Sequence, residues 1–184
     1  MFIWLIVLII IAVLFLIILG IYNGLIRTRN NVENAWSQID VQLKKRYDLV
    51  PNLIETVKGY MKHERDALTE ITQLRNQAMN AKDRDLKMKA DDKMAKAVSG
   101  ILNVVVENYP DLKASQNFLT LQEELSGIEN KIAYSRQYYN DSVLMYNNKT
   151  QMFPTSVFAK MFKFPEKNFL ETAEAEKKNV KVSF

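Results

Sequence analysis

The chain has 184 residues, with 25 lysines and arginines against 21 aspartates and glutamates, and no cysteine. The lack of cysteine excludes disulfides, thiol catalysis and a bacterial lipoprotein anchor. Basic and acidic residues are interleaved, as in KDRDLKMKADDKMAK, so the net charge of +4 indicates a solvated mixed surface rather than a nucleic-acid-binding stripe.

The N-terminal segment carries no charged side chain from Met1 to Ile26. A run of about 25 apolar residues makes a helix of ~38 Å, which exceeds the ~30 Å hydrocarbon core of a bilayer. No basic segment precedes the run and no A-x-A cleavage site follows it, which argues against a cleaved signal peptide. We therefore predict a transmembrane anchor and its exit over residues 1–29.

The basic residues that follow the span predict its orientation. Arg27 and Arg29 come directly after the apolar run, and the positive-inside rule places such residues in the cytoplasm. We expect a single-pass protein with its N-terminus outside and its helical part in the cytoplasm. The opposite orientation stays open, because only these two basic residues lie close to the span.

An amphipathic pattern at helical spacing follows the anchor and predicts one long helix over about residues 30–79. Pro51 falls inside this pattern, where a proline costs ~3 kcal/mol in a helix interior. Because the apolar positions keep their phase across Pro51, we favour a kinked continuous helix over a break between two helices.

The rest of the chain predicts further helices and no strand. Residues 80–92 are expected to form a polar linker or a frayed hairpin, followed by a helix from Lys93 to the turn at Tyr109 and Pro110. A third long helix is predicted over about residues 115–150, and a short one over 156–162 with Ser156 as its N-cap.

The predicted fold is thus all-α. A transmembrane helix leads into an antiparallel bundle of three long helices plus a short C-terminal helix, over residues 30–165, with a tail at 166–184. The broad, drifting apolar stripe of the third helix suits a packed bundle better than a strict coiled coil.

Catalytic and metal-binding patterns are weak in this sequence. His63 is the only histidine, and the HE dipeptide that it begins does not continue to H-E-x-x-H. A di-metal bundle site needs Glu-x-x-His twice, which one histidine does not allow. We expect no catalytic residue, no metal and no cofactor, and hence no enzyme.

Tyrosines cluster in the third long helix at Tyr134, Tyr138, Tyr139 and Tyr146. Large rings with a polar tip favour a core or an interface with polar rims over a binding cage. Arg136 lies near the apolar face of this helix, and we expect it to pair with a carboxylate of the first helix, with Asp40 as the candidate.

Two further patterns bear on the membrane. Gly20 and Gly24 form G-x-x-x-G at the end of the span, which allows self-association of helices in lipid; alternatively, Gly24 eases the chain out of the bilayer. The segment FPTSVFAKMFKFPEKNFLE mixes phenylalanines with lysines. We expect it to cap the open end of the bundle, and contact with a membrane surface is the alternative.

Long stretches of the sequence resemble the LemA family. The similarity is carried by YNGLIRTRNNVENAWSQIDVQLKKRYDLVPNLIETVKGYMKHE at residues 22–64, by YPDLKASQNFLTLQEELSGIENKIAYSRQYYNDSVLMYN at 109–147, and by the FP pair at 153–154. The resemblance implies a bacterial membrane-anchored helical bundle with a short outside N-terminus, in the inner membrane. It implies no activity.

The motif residues of the resemblance are therefore expected to build shape. They are Trp36, Asp40, Pro51, Asn52, Tyr109, Pro110, Glu129, Asn130, Tyr139 and Asn140. Among them, Pro51 is expected to be a built-in bend of a long helix rather than part of a site.

An anchor and a bundle without a catalytic set favour a membrane-anchored scaffold or adaptor that recruits other membrane proteins. The alternative is a protein that binds or remodels an anionic lipid surface. The expected partners are the lipid bilayer and other membrane proteins, self-association with further copies of the chain stays open, and no nucleic acid is expected.

Overall fold

The computed structural model describes residues 2–61 and 64–171, and throughout that part the chain forms helices and no strand. In chain order the helices are α1 (Phe2–Lys58), α2 (Arg65–Asn80), α3 (Arg84–Asn108), α4 (Pro110–Lys113), α5 (Gln116–Gln151) and α6 (Thr155–Met161). The predicted all-α class, with an apolar N-terminal helix, a bundle of long helices and a short C-terminal helix, is confirmed.

Helix α1 joins the apolar run to the amphipathic part without interruption. Its 57 residues correspond to about 86 Å of helix. By length and composition it can cross a membrane, and the apolar stretch is exposed along the isolated chain, which fits a membrane anchor. Pro51 lies inside α1, so the alternative of a helix break at Pro51 is wrong.

The predicted single helix over residues 30–79 is nevertheless wrong, because α1 ends at Lys58 and a separate helix, α2, begins at Arg65. Gly59 follows the last residue of α1, and glycine is a poor helix former. The backbone N–H groups of Tyr60 and Met61 both donate to the carbonyl of Val57 at 3.0 Å, which closes α1 with a turn. The break therefore lies several residues beyond the proline.

Helix α3 begins earlier than the sequence indicated. We expected a helix from Lys93, but α3 starts at Arg84, and the connection from α2 is only Ala81–Asp83. The side chain of Asp83 accepts a hydrogen bond from the backbone N–H of Leu86 at 3.0 Å, which caps the new helix. Met88 and Asp91 are buried, so this charged stretch is not the solvated linker that its composition suggested.

The C-terminal elements lie close to their predicted positions. Helix α5 agrees with the predicted third helix within one residue at each end, and α6 is shifted by one residue from the predicted short helix. Ser156 is not the N-cap of α6, because Pro154 holds that position and no side chain caps the helix. Ordered contacts continue beyond Pro165 to Leu170, within the predicted tail, whereas residues 172–184 lie outside the described residues.

The chain divides into two compact units. The first unit comprises the chain up to Gln38 together with Ser135–Leu170, and the second comprises Ile39–Tyr134 with Glu171. In the first unit α1 and α5 run antiparallel. Trp36 packs edge to face on Tyr139, with ring centroids 6.0 Å apart, and Gly24 faces Lys149 further along α5. The core of this unit is formed by Leu25, Val32, Ala35, Tyr139, Val143, Tyr146, Ala159, Phe164 and Leu170.

In the second unit α2 and α3 pack against each other as a hairpin, joined by the short Asp83 connection. The buried residues of α1 follow the predicted stripe from Ile39 through Leu43, Val50 and Val57 to Met61. Burial of this stripe along one face provides the main stabilisation of an amphipathic helix in a bundle.

Candidate functional site

The most deeply buried charges of the second unit form an ion-pair network across three helices. Arg46 of α1 donates from Nη1 to Oδ2 of Asp91 on α3 at 2.7 Å, and from Nη2 to Oε2 of Glu129 on α5. Asp91 is 0% exposed, whereas the side chain of Glu129 is 60% exposed. A carboxylate at full burial needs a paired charge, so Arg46 links α1 to α3.

Sequence reasoning identified Glu129 but missed Arg46 and Asp91. A signal for Arg46 was present, because it falls between Leu43 and Val50 on the buried face of α1. Asp91 gave no such signal, since the charged stretch around it is typical of a solvated surface.

Asp40 forms a second ion pair in this unit, with Nζ of Lys87 on α3. Lys87 and Asp91 are one helical turn apart, so two successive residues on one face of α3 pair with α1. The predicted pairing of Arg136 with Asp40 stays a prediction; Arg136 lies half-buried on α5.

Tyr47 lies beside this network at the core of the second unit. Burial, and next the negative charge of Asp91, raise the pKa of the Tyr47 phenol above its usual value. The Tyr47 phenol of the folded protein is therefore neutral at and around neutral pH.

This raised pKa predicts a loss of stability in alkali. Below pH 10 the phenol is neutral in both states; above pH 10 it ionises in the unfolded chain but not in the folded one. The free energy of unfolding should then fall by up to ~1.4 kcal/mol per pH unit. We expect Tyr47→Phe to flatten this fall in guanidinium titrations at rising pH. Tyr134→Phe, which changes an exposed ring, should leave the fall in place; equal slopes for Tyr47→Phe and the parent would contradict the prediction.

Pro51 leaves the backbone carbonyl of Tyr47 without its usual donor within the helix. In an α-helix the carbonyl of Tyr47 would accept from the N–H of residue 51, and proline has none. Nε of Arg75, on α2, donates to this carbonyl at 2.6 Å. The proline thus opens an acceptor on α1 at which α2 docks. Asn52, the next motif residue, is exposed.

The remaining motif residues of the second unit mark a helix junction. Tyr109 follows the last residue of α3 as its C-cap, and its hydroxyl donates to the carboxylate of Glu64 at 3.0 Å. This hydrogen bond raises the pKa of Tyr109 above its usual value. Pro110 is the first residue of α4, where a missing N–H costs nothing, and Asn130 is exposed on α5.

In the first unit, two asparagines of α5 hold the following chain by its backbone. Asn147 donates from Nδ2 to the carbonyl of Lys167 and accepts from its N–H, both at 2.9 Å. Asn140, seven residues earlier, makes the same pair of bonds with Leu170, at 3.2 and 2.9 Å. We call these two residues the asparagine clasp.

Neighbouring contacts support the clasp. The Tyr146 hydroxyl donates to the carbonyl of Pro165 at 2.8 Å, and Nζ of Lys167 pairs with Glu33 of α1 at 3.0 Å. Of the four clustered tyrosines, Tyr139 and Tyr146 are buried, as a core role predicts, whereas Tyr134 and Tyr138 are exposed.

Removing one half of the clasp should release the segment around Lys167. Asn147→Ala deletes two hydrogen bonds, a loss of about 1–3 kcal/mol, and each ~1.4 kcal/mol changes an opening equilibrium about tenfold. We expect trypsin to cleave after Lys167 roughly ten to a hundred times faster than in the parent. The matched control is Asn148→Ala, at an exposed neighbour. Unchanged cleavage in Asn147→Ala would show that the clasp does not hold this segment.

The two glycines of the span differ in their surroundings. A Cβ at Gly20 would meet nothing within 4 Å, whereas one at Gly24 would lie 2.5 Å from Nζ of Lys149. Self-association through both glycines would therefore require the Lys149 side chain to move.

The polar side chains of these sites form ion pairs and hydrogen bonds that hold helices and the segment after α6 in place. Within residues 2–61 and 64–171 no three His, Cys, Asp or Glu side chains are grouped so as to hold a metal ion. His63, the one histidine considered for catalysis, lies outside the described residues. The ion pairs and the clasp join one part of the chain to another.

Known proteins are similar to this chain in sequence over most of its length. Residues 35–184 match the sequence model of the LemA family. Protein LemA of Metamycoplasma hominis is 29% identical over 178 residues, which cover 94% of this chain and 79% of that protein. Since the family match extends over most of the chain, including the helices that carry the ion-pair network and the clasp, this chain belongs to the LemA family.

Proposed function

We propose that this protein is a non-enzymatic scaffold, anchored by α1 in a bacterial inner membrane, that recruits other membrane proteins. The observation that carries the proposal is an exposed stripe formed by Tyr138 and Met145 of α5 and by Met152, which directly follows the last residue of α5. We call it the Tyr/Met stripe. Tyr138 and Met145 are spaced by seven residues and so share one face of the helix, and Met152 follows at the same spacing.

Residue chemistry supports a protein partner for the stripe. Tyrosine and methionine are enriched at protein interfaces, and the flexible methionine side chain adapts to differently shaped partners. The residues of the stripe are exposed and have no packing partner in the described part of the chain, as is typical of a surface that binds another protein.

The position of the stripe supports a partner at the membrane. Lys149 lies on α5 between Met145 and Met152 and faces Gly24, at the end of the apolar run of α1. A protein bound to the stripe would therefore lie next to the bilayer. Basic residues concentrate at the same level, since Arg27 and Arg29 follow the span, which supports the cytoplasmic placement.

Site-specific photocrosslinking in native membranes tests the proposal. A photoreactive residue at Tyr138 or Met145 should give the same adduct with a membrane protein, or with a second copy of the chain. Leu144 is the matched control, because it is exposed on α5 but lies about 100° around the helix from Met145. Met145→Glu should abolish the adduct formed at Tyr138.

Two results would contradict the scaffold. One is the absence of any protein adduct, self included, at both stripe positions. The other is equal labelling at Leu144 that Met145→Glu does not change, since this would indicate random collisions in the membrane.

A further inference from the structure

The first observation concerns the depth of α1 in a bilayer. The stretch Phe2–Ile21 contains only uncharged, mostly large apolar residues. Its about 20 residues extend ~30 Å as a helix, which equals the thickness of the hydrocarbon core. Tyr22 follows directly, and tyrosines concentrate at the boundary between acyl chains and headgroups. With α1 inserted, Tyr22 marks the edge of the hydrocarbon core on the side where α1 leaves the bilayer toward residues 23 and beyond.

The second observation places the corner between α5 and α6 at this same edge. From the Tyr139–Trp36 contact to the Lys149–Gly24 contact, α5 advances ten residues while α1 goes back twelve. Helix α5 ends two residues after Lys149, at Gln151, which brings its end level with about residue 22 of α1 because both helices rise ~1.5 Å per residue. Phe153 follows two residues later, in the turn to α6.

Ring contacts fix the other end of the corner independently. The Tyr22 ring packs edge to face on Phe162, with centroids 5.1 Å apart, and on Phe164 at 5.9 Å. The guanidinium of Arg29 lies over the Phe164 ring, 5.3 Å from its centroid. The segment from Phe153 to Phe162 thus begins and ends at the level of Tyr22.

The third observation is an apolar face on this segment that residues 2–61 and 64–171 leave uncovered. Phe153 is 84% exposed, and Val157 and Met161, spaced by four residues, are exposed too. On the other side of the segment Ala159 and Phe164 are buried. Lys160 and Lys163 are exposed beside the apolar face. Large apolar residues flanked by lysines are the composition of helices that lie in an anionic membrane interface.

We propose that this face, Phe153, Val157 and Met161, inserts into the headgroup–acyl boundary of the leaflet from which α1 emerges. The chain would then hold the membrane at two places, the span and the α5–α6 corner. Lipid is the occupant because the face lies at a depth where lipid surrounds an inserted α1. The inference rests on the proposed anchoring by α1, but not on recruitment of a partner.

The insertion would have a consequence for the Tyr/Met stripe. A single span lets the attached chain tilt and rotate about its exit, whereas a second contact with the same leaflet fixes both. Tyr138 and Met145 would then be held at a constant height and orientation above the bilayer.

The test uses the full-length chain, which has no cysteine, so a single introduced cysteine carries one label. We would label Phe153→Cys and Val157→Cys with an environment-sensitive fluorophore in vesicles containing phosphatidylglycerol. Doxyl-labelled lipids report contact with acyl chains, and iodide reports contact with water. Leu8→Cys is the control within the span, and Leu119→Cys, an exposed residue of the second unit, is the aqueous control.

The expected result is doxyl quenching at Phe153→Cys and Val157→Cys several-fold above that at Leu119→Cys, with iodide quenching lowered several-fold. Iodide quenching equal to that at Leu119→Cys would overturn the inference. Protection from both quenchers that disappears on dilution with excess lipid would also overturn it, since it would show a second copy on this face. Leu8→Cys separates the two proposals: without lipid quenching there, the anchoring itself fails.

Discussion

Arg46→Met is expected to destabilise the second unit by about 3–5 kcal/mol, because it removes a countercharge from a fully buried carboxylate. Asp91 is 0% exposed and accepts from Nη1 of Arg46 at 2.7 Å. Guanidinium unfolding of the full-length chain in detergent micelles, followed by helical circular dichroism, measures the loss.

Two companion variants identify the cause of this loss. Glu129→Gln alters the exposed end of the same network and should cost no more than about 1 kcal/mol. The double variant Arg46→Met with Asp91→Leu removes both buried charges and should recover most of the lost stability. A double variant as unstable as Arg46→Met alone would mean that packing of the arginine side chain, rather than its charge, stabilises this part of the bundle.

Arg75→Met is expected to lower the free energy of unfolding by about 1.5–3 kcal/mol, the range for a hydrogen bond from a charged donor. The bond joins Nε of Arg75 to the Tyr47 carbonyl, which Pro51 leaves without its helical donor. In the Pro51→Ala background the restored N–H can satisfy this carbonyl, so Arg75→Met should cost clearly less there.

The double-mutant cycle, rather than either single variant, is the decisive measurement. Pro51→Ala alone also gains up to ~3 kcal/mol of helix propensity and removes any bend, so its own effect combines several causes. Arg65→Met is the control, because Arg65 is an exposed arginine of α2, the helix that carries Arg75; it should change the free energy of unfolding little in either background. Equal costs of Arg75→Met in both backgrounds would show that the proline does not create this docking point.

Much of the helical architecture could be predicted from local patterns. The uncharged run up to Ile26 determined an apolar helix long enough for a membrane, because length and hydropathy alone decide that property. The bounds of α5 followed from apolar periodicity between the turn at Pro110 and the proline at 154. The phase of the apolar stripe across Pro51 correctly placed this proline inside a helix.

Tertiary contacts decided the features that local patterns misjudged. The stripe kept its phase past Gly59, and only the turn closed on the Val57 carbonyl showed that α1 ends there. The charged stretch before Lys93 is helical because Asp83 caps its first turn and Asp91 forms a buried ion pair with Arg46 of α1. A charged residue looks solvated in sequence unless its distant partner is known.

The same reason separates the motif residues from their roles. By itself the sequence determined the all-α class, the apolar N-terminal helix and the absence of a cysteine or a second histidine, since these depend on composition and spacing. Only the tertiary structure decided that Arg75 docks on the carbonyl freed by Pro51 and that Asn140 and Asn147 hold the backbone of Leu170 and Lys167. These bonds join residues about 20 to 30 positions apart, and hydrogen bonds at that separation leave no periodic trace in the chain.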